Sequence, residues 1–233
     1  MFNFIFSLYC KIRGLIKRFL FLKIGANSFI SYNVQILGVK NILIGSNTTI
    51  GDNTLITINE RDDDKLKLVI GDNVYIGRDN FFTVGGNMKI GNYCIFGNKC
   101  SFISSNHNFS NPLIPYALSG ATCINEIEIG VNCWLGHNVS VIGSVKIGHG
   151  SIIGANSVVL KNLPPFCIAV GNPAKIIKIF NFNSNMWEKV ENSSMNDYQK
   201  LFPDEKTYND KLVNENICVS VAHHSASFNF GNL

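Results

Sequence analysis

Charge is scarce in this chain. Only 15% of its 233 residues are Asp, Glu, Lys or Arg, and the formal net charge is +4. So weak and dispersed a positive balance builds no basic stripe for a phosphate backbone, and no nucleic-acid-binding motif appears, so nucleic acid is not an expected partner. Long apolar runs are missing too: the stretches near the N-terminus fall short of the roughly twenty residues that cross a bilayer. They also lack the basic start and small-residue cleavage site of a secretory signal. Cysteine occurs seven times, an odd count at irregular spacing without a CxxC pair. Neither a disulfide framework nor a zinc or redox motif is expected, and the chain reads as a protein of a reducing cytoplasm. His137 and His149 stand twelve residues apart and His223 and His224 lie in the tail. No trio of histidines has metal-ligand spacing, so no metal is expected.

What the chain does have is a six-residue beat. It is clearest in Ile129-Gly130-Val131-Asn132-Cys133-Trp134, Leu135-Gly136-His137-Asn138-Val139-Ser140, Val141 to Lys146, Ile147 to Ile152 and Ile153 to Val158. An aliphatic residue opens each hexad, Gly follows in most, and a small residue sits fifth. The same spacing recurs at Ile24, Ile30 and Ile36, at Ile44, Ile50 and Ile56, at Ile70, Ile76 and Phe82, and at Ile90, Phe96 and Phe102. A helix would need apolar residues every three or four positions and an amphipathic strand strict alternation; neither fits. Short flat faces separated by Gly- and Asn-bearing corners do fit, because those residues tolerate positive φ. A repeat of this length indicates a β-helix.

The beat predicts the interior. Each opening residue points into a triangular prism and stacks on its equivalent one coil away. The fifth residue also points inward, near a corner where only a small side chain fits. Ser28, Val34, Thr48, Thr54, Val74, Cys94, Cys100, Cys133, Val139, Val145, Ser151 and Ser157 hold that place. Phase jumps, for example from Ile36 to Ile44 and from Phe82 to Ile90 past Gly85 and Gly86, read as loops inserted at a corner.

The expected organisation is a short N-terminal amphipathic helix over 1–23, a β-helix over 24–180 and an extension over 181–233. In 1–23, apolar residues mix with Lys11, Arg13, Lys17, Arg18 and Lys23. Such a segment can cap the solenoid end or lie on an anionic membrane surface. In the extension, Met186 to Leu201 is expected to form a short helix and the stretch from about Tyr208 to be poorly ordered. Two interruptions break the body: the charged stretch Asn59 to Lys67 and the longer loop 106–126, which contains Pro112 and Pro115. Long loops without repeat structure are often functional. His107 stands at the mouth of the second. A histidine there can act as a general base near neutral pH, or be simply solvated.

From Ile90 to Lys178 the chain resembles the hexapeptide-repeat O-acetyltransferases, the group that includes galactoside, maltose and nodulation-factor acetyltransferases and capsule or lipopolysaccharide acetylases. The resemblance rests on Ile90 to Asn106 leading into His107, on Pro112, on Trp134-Leu135-Gly136, and on the endings Ile153 to Pro165 and Gly171-Asn172-Pro173-Ala174-Lys175-Ile176-Ile177-Lys178. It implies an all-β, left-handed parallel β-helix, although parallel crossovers are normally right-handed. It also implies acetyl-CoA as co-substrate, a sugar or glycan acceptor and a homotrimer with clefts between neighbouring solenoids; the expected location is cytoplasmic, with contact to the inner face of the membrane through 1–23 as an open alternative to the cap.

Carried over by residue, the resemblance makes His107 the base. The backbone N–H of His137 becomes the oxyanion donor, and Trp134 and Asn80 become acceptor-side residues. Gly136, Ala155, Leu160, Lys161, Lys175 and Lys178 become coenzyme A contacts. Trp134 can also be a packing residue and the lysines ordinary surface. The chemistry is coherent, since a sugar hydroxyl needs a positioned base and the thioester carbonyl gains charge that a fixed N–H can meet. The competing expectations are N-acetylation of a nucleotide-linked amino-sugar, a zinc hydratase on the same solenoid, and a non-catalytic binding solenoid.

Overall fold

The computed structural model describes residues 22–122, 125–190 and 201–214. The expected N-terminal helix lies outside them, apart from its last two positions. The body is a left-handed β-helix, the handed form that hexapeptide repeats adopt. Three parallel sheets make its faces. The first face stacks Lys23–Ile24, Ile42–Ile44, Leu68–Ile70, Met88–Ile90, Ile127–Ile129 and Val145–Ile147. The second stacks Phe29–Ile30, Thr49–Ile50, Tyr75–Ile76, Ile95–Phe96, Trp134–Leu135, Ile152–Ile153 and Cys167–Val170. The third stacks Gln35–Leu37, Leu55–Ile58, Phe81–Val84, Ser101–Ile103, Ser140–Ile142 and Val158–Val159.

The opening side chains fill the prism. Ile44, Ile50, Ile56, Ile70, Ile76, Phe82, Ile90, Phe96, Phe102, Ile129, Leu135, Val141, Ile147, Ile153 and Val159 are buried, and each full burial is worth about 1.5–3 kcal/mol. Register keeps them in columns, as in Ile56↔Phe82 and Phe82↔Phe102. The Phe82 and Phe102 rings stack at 4.6 Å and 10°. The first coil departs from this pattern, since Ile24 is exposed.

The corners explain the hexad's other letters. The fourth residue adopts positive φ in coil after coil, at Asn47, Asn53, Asn73, Asp79, Asn132, Asn138 and Asn156. Asn and Asp reach that conformation at least cost among residues with a side chain. The glycine in second place meets the next coil's backbone: a Cβ on Gly136 would lie 2.8 Å from the Ala155 nitrogen.

The C-terminal part differs from expectation. Met186–Lys189 is a strand, not a helix, because it pairs antiparallel with Lys175–Asn181, which itself turns back on Cys167–Val170. Tyr208 falls inside a helix, Glu205–Asn214. That helix docks on the corner between the first and second faces. Glu205 accepts the Val131 N–H at 2.9 Å, Asn92 donates to Asn209 at 3.0 Å, and His149 Nε2 meets the Pro203 carbonyl at 3.0 Å. His149, Phe166, Phe202 and Tyr208 form an aromatic cluster beneath it. Among the described residues no helix is long and apolar enough to cross a membrane.

Candidate active site

Three corners run the length of the prism, and the candidate residues divide among them. His107 belongs to the third corner, where the chain leaves the third face. The segment 106–126 is not wholly irregular. Asn106–His107 pairs antiparallel with Ala121–Thr122, with His107 opposite Ala121, and Asn108 N–H reaches the Gly120 carbonyl at 3.0 Å. Between these strands Tyr116–Leu118 makes one 3₁₀ turn. The result is an arm with a paired base and an apolar outer part, in which Phe109, Leu113, Tyr116 and Leu118 are exposed. The His107 side chain is exposed, and its backbone N–H is held by Asn106 Oδ1 at 2.9 Å.

His137 lies on the second corner, between the second and third faces. Asn98 occupies the equivalent place one coil earlier and caps the Arg78 N–H with its side chain at 2.9 Å. The coil after His137 presents Ala155, which has no side-chain acceptor. The His137 N–H therefore has no hydrogen-bond partner among the described residues, while the neighbouring Gly136 N–H is taken by the Ile153 carbonyl at 2.8 Å. Trp134 stands three residues before His137 on the second face and is 54% exposed. It is in register with Ile95, and Ile95 with Tyr75, so the three form an outward apolar column.

The structure brings some expected residues together and separates others. Gly136 packs on Ala155, Gly154 on Val170, and Val170 pairs with Lys175, so His137, Gly136, Ala155 and Lys175 follow one edge. Leu160 and Lys161 are exposed on the third corner, the edge that carries His107. Lys178 pairs with Ile168 in the second face, away from both edges. The third face separates the two edges. The six residue steps from Asn98 to Ser104 span about 20 Å at strand rise, so His107 and His137 of one chain do not meet.

Asn80 is a correction. It was expected on the acceptor side, but only 1% of it is exposed. Its amide donates to the Gly77 and Gly97 carbonyls at 2.8 and 3.1 Å and accepts the Cys100 N–H at 2.9 Å. It is an inward corner residue with its polar atoms engaged by two coils, and it cannot reach an acceptor.

Four thiols are buried in the prism, at Cys94, Cys100, Cys133 and Cys167. Cys94, Cys133 and Cys100 point at the Gly130, Gly148 and Gly136 carbonyls at 3.1, 3.2 and 3.2 Å. Burial pushes the Cys100 and Cys133 thiols up, and that of Cys167 to about 11. Among the described residues no group of three or more His, Cys, Asp or Glu gathers at metal-binding distance.

A prism of stacked hexads is the architecture that hexapeptide-repeat proteins share, and the chain is similar to transferases of that type. Residues 126–161 match the sequence model described as bacterial transferase hexapeptide (six repeats). More particularly, the chain is 39% identical over 132 residues to a Staphylococcus aureus (strain Mu50) protein named as an acetyltransferase by inference, covering 56% of this chain and 64% of that one. It is 34% identical over 110 residues to WbbJ of Escherichia coli K12, named for lipopolysaccharide biosynthesis O-acetyl transfer, covering 44% of this chain and 56% of that one. The chain thus spans under two thirds of the length of these relatives. Among solved structures, a variant of the Bacillus cereus N-acyltransferase AntD, with dTDP-4-amino-4,6-dideoxyglucose and coenzyme A, shares the fold at a TM-score of 0.61. That match has 19% identity and covers 87% of this chain and 96% of that one.

Proposed function

We propose that this protein is an acetyl-CoA-dependent O-acetyltransferase acting on a sugar hydroxyl, of a surface polysaccharide or its precursor. His107 removes the hydroxyl proton as the oxygen attacks the thioester carbonyl. The His137 N–H receives the charge on the carbonyl oxygen, and coenzyme A leaves as the thiol once the tetrahedral intermediate collapses. No covalent enzyme intermediate is required when both substrates are held in one cleft. The observation that carries this reading is the pair of edges flanking the third face. One presents an exposed His107 and the other an unengaged His137 N–H beside Trp134, Ala155 and Lys175.

Because the third face keeps the edges about 20 Å apart at strand rise, a working site needs His107 from one copy and His137 from the next. A closed ring, a trimer in this reading, supplies such a site at every junction. Lys161 and Lys175 would then flank the coenzyme phosphates from opposite walls. Cytoplasmic location, with membrane contact through residues 1–23, belongs to the same proposal.

Two experiments test it. His107→Ala should lose roughly 10²–10⁴-fold in turnover with an unchanged melting temperature. His137→Ala keeps its N–H and should be mild; a dead His137→Ala beside an active His107→Ala sinks the assignment. His137→Pro lacks the N–H and should be inactive alone. Co-expressed with His107→Ala, it should regain activity, because mixed rings contain junctions with both groups. No recovery argues against a shared site. N-acylation of a nucleotide-linked amino-sugar is the second reading, favoured by the AntD likeness. A panel of hydroxyl and amine acceptors separates the two.

A further inference from the structure

We propose that Thr83 and Ser105 are positioning residues that fix the direction in which His107 leaves the prism, an inference that rests on the catalytic reading of His107. The arm departs from Ser104–Ser105, and both residues are pinned to the preceding coil. Ser104 N–H donates to the Thr83 carbonyl at 3.0 Å, and its hydroxyl donates to that carbonyl at 3.2 Å while accepting the Gly85 N–H at 3.0 Å. Ser105 Oγ lies 2.6 Å from Thr83 Oγ1, which is itself 3.4 Å from Asn59 Oδ1. Since a carbonyl oxygen only accepts, the chain has one direction: Ser105 donates to Thr83 and Thr83 donates to Asn59.

The return of the arm is anchored on the residues that follow, Gly86 and Asn87. Gly86 N–H donates to the Asn125 carbonyl at 3.1 Å, Asn87 Nδ2 to Glu126 at 2.8 Å, and Ile127 N–H to the Asn87 carbonyl at 3.1 Å. Gly85 is required because a Cβ there would lie 2.3 Å from the Ser104 carbonyl oxygen. Segment 83–87 therefore clamps both roots of the arm. The phase jump in the hexad at Gly85 and Gly86 is the mark of that clamp. Ser104 is wholly buried and serves the fold, whereas Thr83, buried, and Ser105, half-buried, join through their hydroxyls, with Ser105 two residues before His107. Losing that join leaves the prism intact and lets the base swing.

The test is a double-mutant cycle with purified protein, acetyl-CoA and an accepted sugar. Thr83→Val and Ser105→Ala should each lower kcat by about ten- to a hundredfold, the scale of an ångström's misplacement. KM for acetyl-CoA and the melting temperature should stay put, and Thr83→Ser should restore the rate. In a His107→Ala background, Thr83→Val should add no further loss, because it acts only through His107. A loss that multiplies in that background, or a Thr83→Val enzyme with wild-type kcat, overturns the proposal and leaves the role of His107 standing. A fully active His107→Ala enzyme overturns the catalytic reading itself.

Discussion

The coils on either side of the arm bury Phe96, Phe102, Leu135 and Val141 completely, while the arm between them leaves Phe109, Leu113, Ile114, Tyr116 and Leu118 exposed. Both regions are rich in large apolar side chains, and no charged residue occurs from Asn108 to Asn125. They differ in what surrounds those side chains. In those two coils each opener has an equivalent above and below, so one packing solution is repeated and every strand is paired on both edges. The arm has no equivalent coil to stack on. It keeps its shape through one two-residue strand pair at its base and the clamp at Thr83–Asn87. Stability in this chain therefore belongs to the stack, and the catalytic histidine of the proposed reaction sits where the chain leaves it at a corner.

The sharpest way to break the comparison is to place one charge in each region. Ile147→Asp puts an unpaired carboxylate at a position with no exposure, between the first-face strand at Ile129 and the chain at Leu163. An unpaired buried charge is costly enough to prevent folding or to force protonation. Leu113→Asp changes a residue 90% exposed and should leave the stability within about 0.5 kcal/mol of wild type. Circular dichroism melts of both variants decide it. A normal melt for Ile147→Asp means the inward register is wrong.

The same contrast sets how much could be read in advance. The faces, the corner conformations and the small fifth residues follow from the hexad because each letter answers one local constraint. Asn80 is instructive here. Counted from Ile76 it stands fifth in its hexad, the inward place that Cys94 and Cys100 hold, although it is not a small apolar residue. The likeness to acetyltransferases pulled it to the acceptor side, and the frame was the better guide. His107 and the boundaries of its excursion were legible from the broken period. The two-residue strands that pair at its base were not, being too short to carry a pattern and fourteen positions apart. In the tail, Met186–Lys189 became a strand because Lys175–Asn181 offered a free edge and Phe180 packs on Trp187. Tertiary pairing overrode local preference. The helix at Glu205 did have a signal, Asp204 three residues before Thr207.

A smaller effect belongs to that docked helix, which like the arm is held on the prism and not within it. Asp204 caps it, accepting the Thr207 N–H at 3.0 Å and the Thr207 hydroxyl at 2.7 Å. The Thr207 N–H, first, and then its hydroxyl hold the Asp204 carboxyl below the usual carboxylate range. A depressed pKa in the folded state means the cap stabilises fully above the unfolded pKa, about 3.9, and is lost as pH falls through the lower folded value. Amide exchange in 205–214 should therefore rise below about pH 4, after correction for intrinsic rates. Asp204→Asn retains an acceptor that does not titrate, so its protection should depend less on pH. Equal pH profiles for the two proteins would remove Asp204 from the account.

The smallest expected change improves the stack where it meets the arm. On the second corner, Asn33 donates to Asn53, Asn53 to Asp79 at 3.0 Å, and Asn138 to Asn156 at 2.9 Å. The ladder is interrupted at Lys99, the equivalent residue in the coil that leads to His107. Lys99 adopts φ 62 with a side chain that offers no acceptor, and it is exposed. A residue other than Gly, Asn or Asp pays roughly 1–2 kcal/mol for that conformation. Lys99→Asn relieves part of that cost, gives Asp79 a second donor and gives Asn138 an acceptor, with no side chain displaced. The expected gain is about 1 kcal/mol, or about 2–4 °C in melting temperature for a chain of this size. Turnover should not move, since the substitution lies outside the arm and its clamp. A gain in melting temperature accompanied by a fall in kcat would show that the corner and the arm are mechanically coupled, and that the separation of stack from site is incomplete.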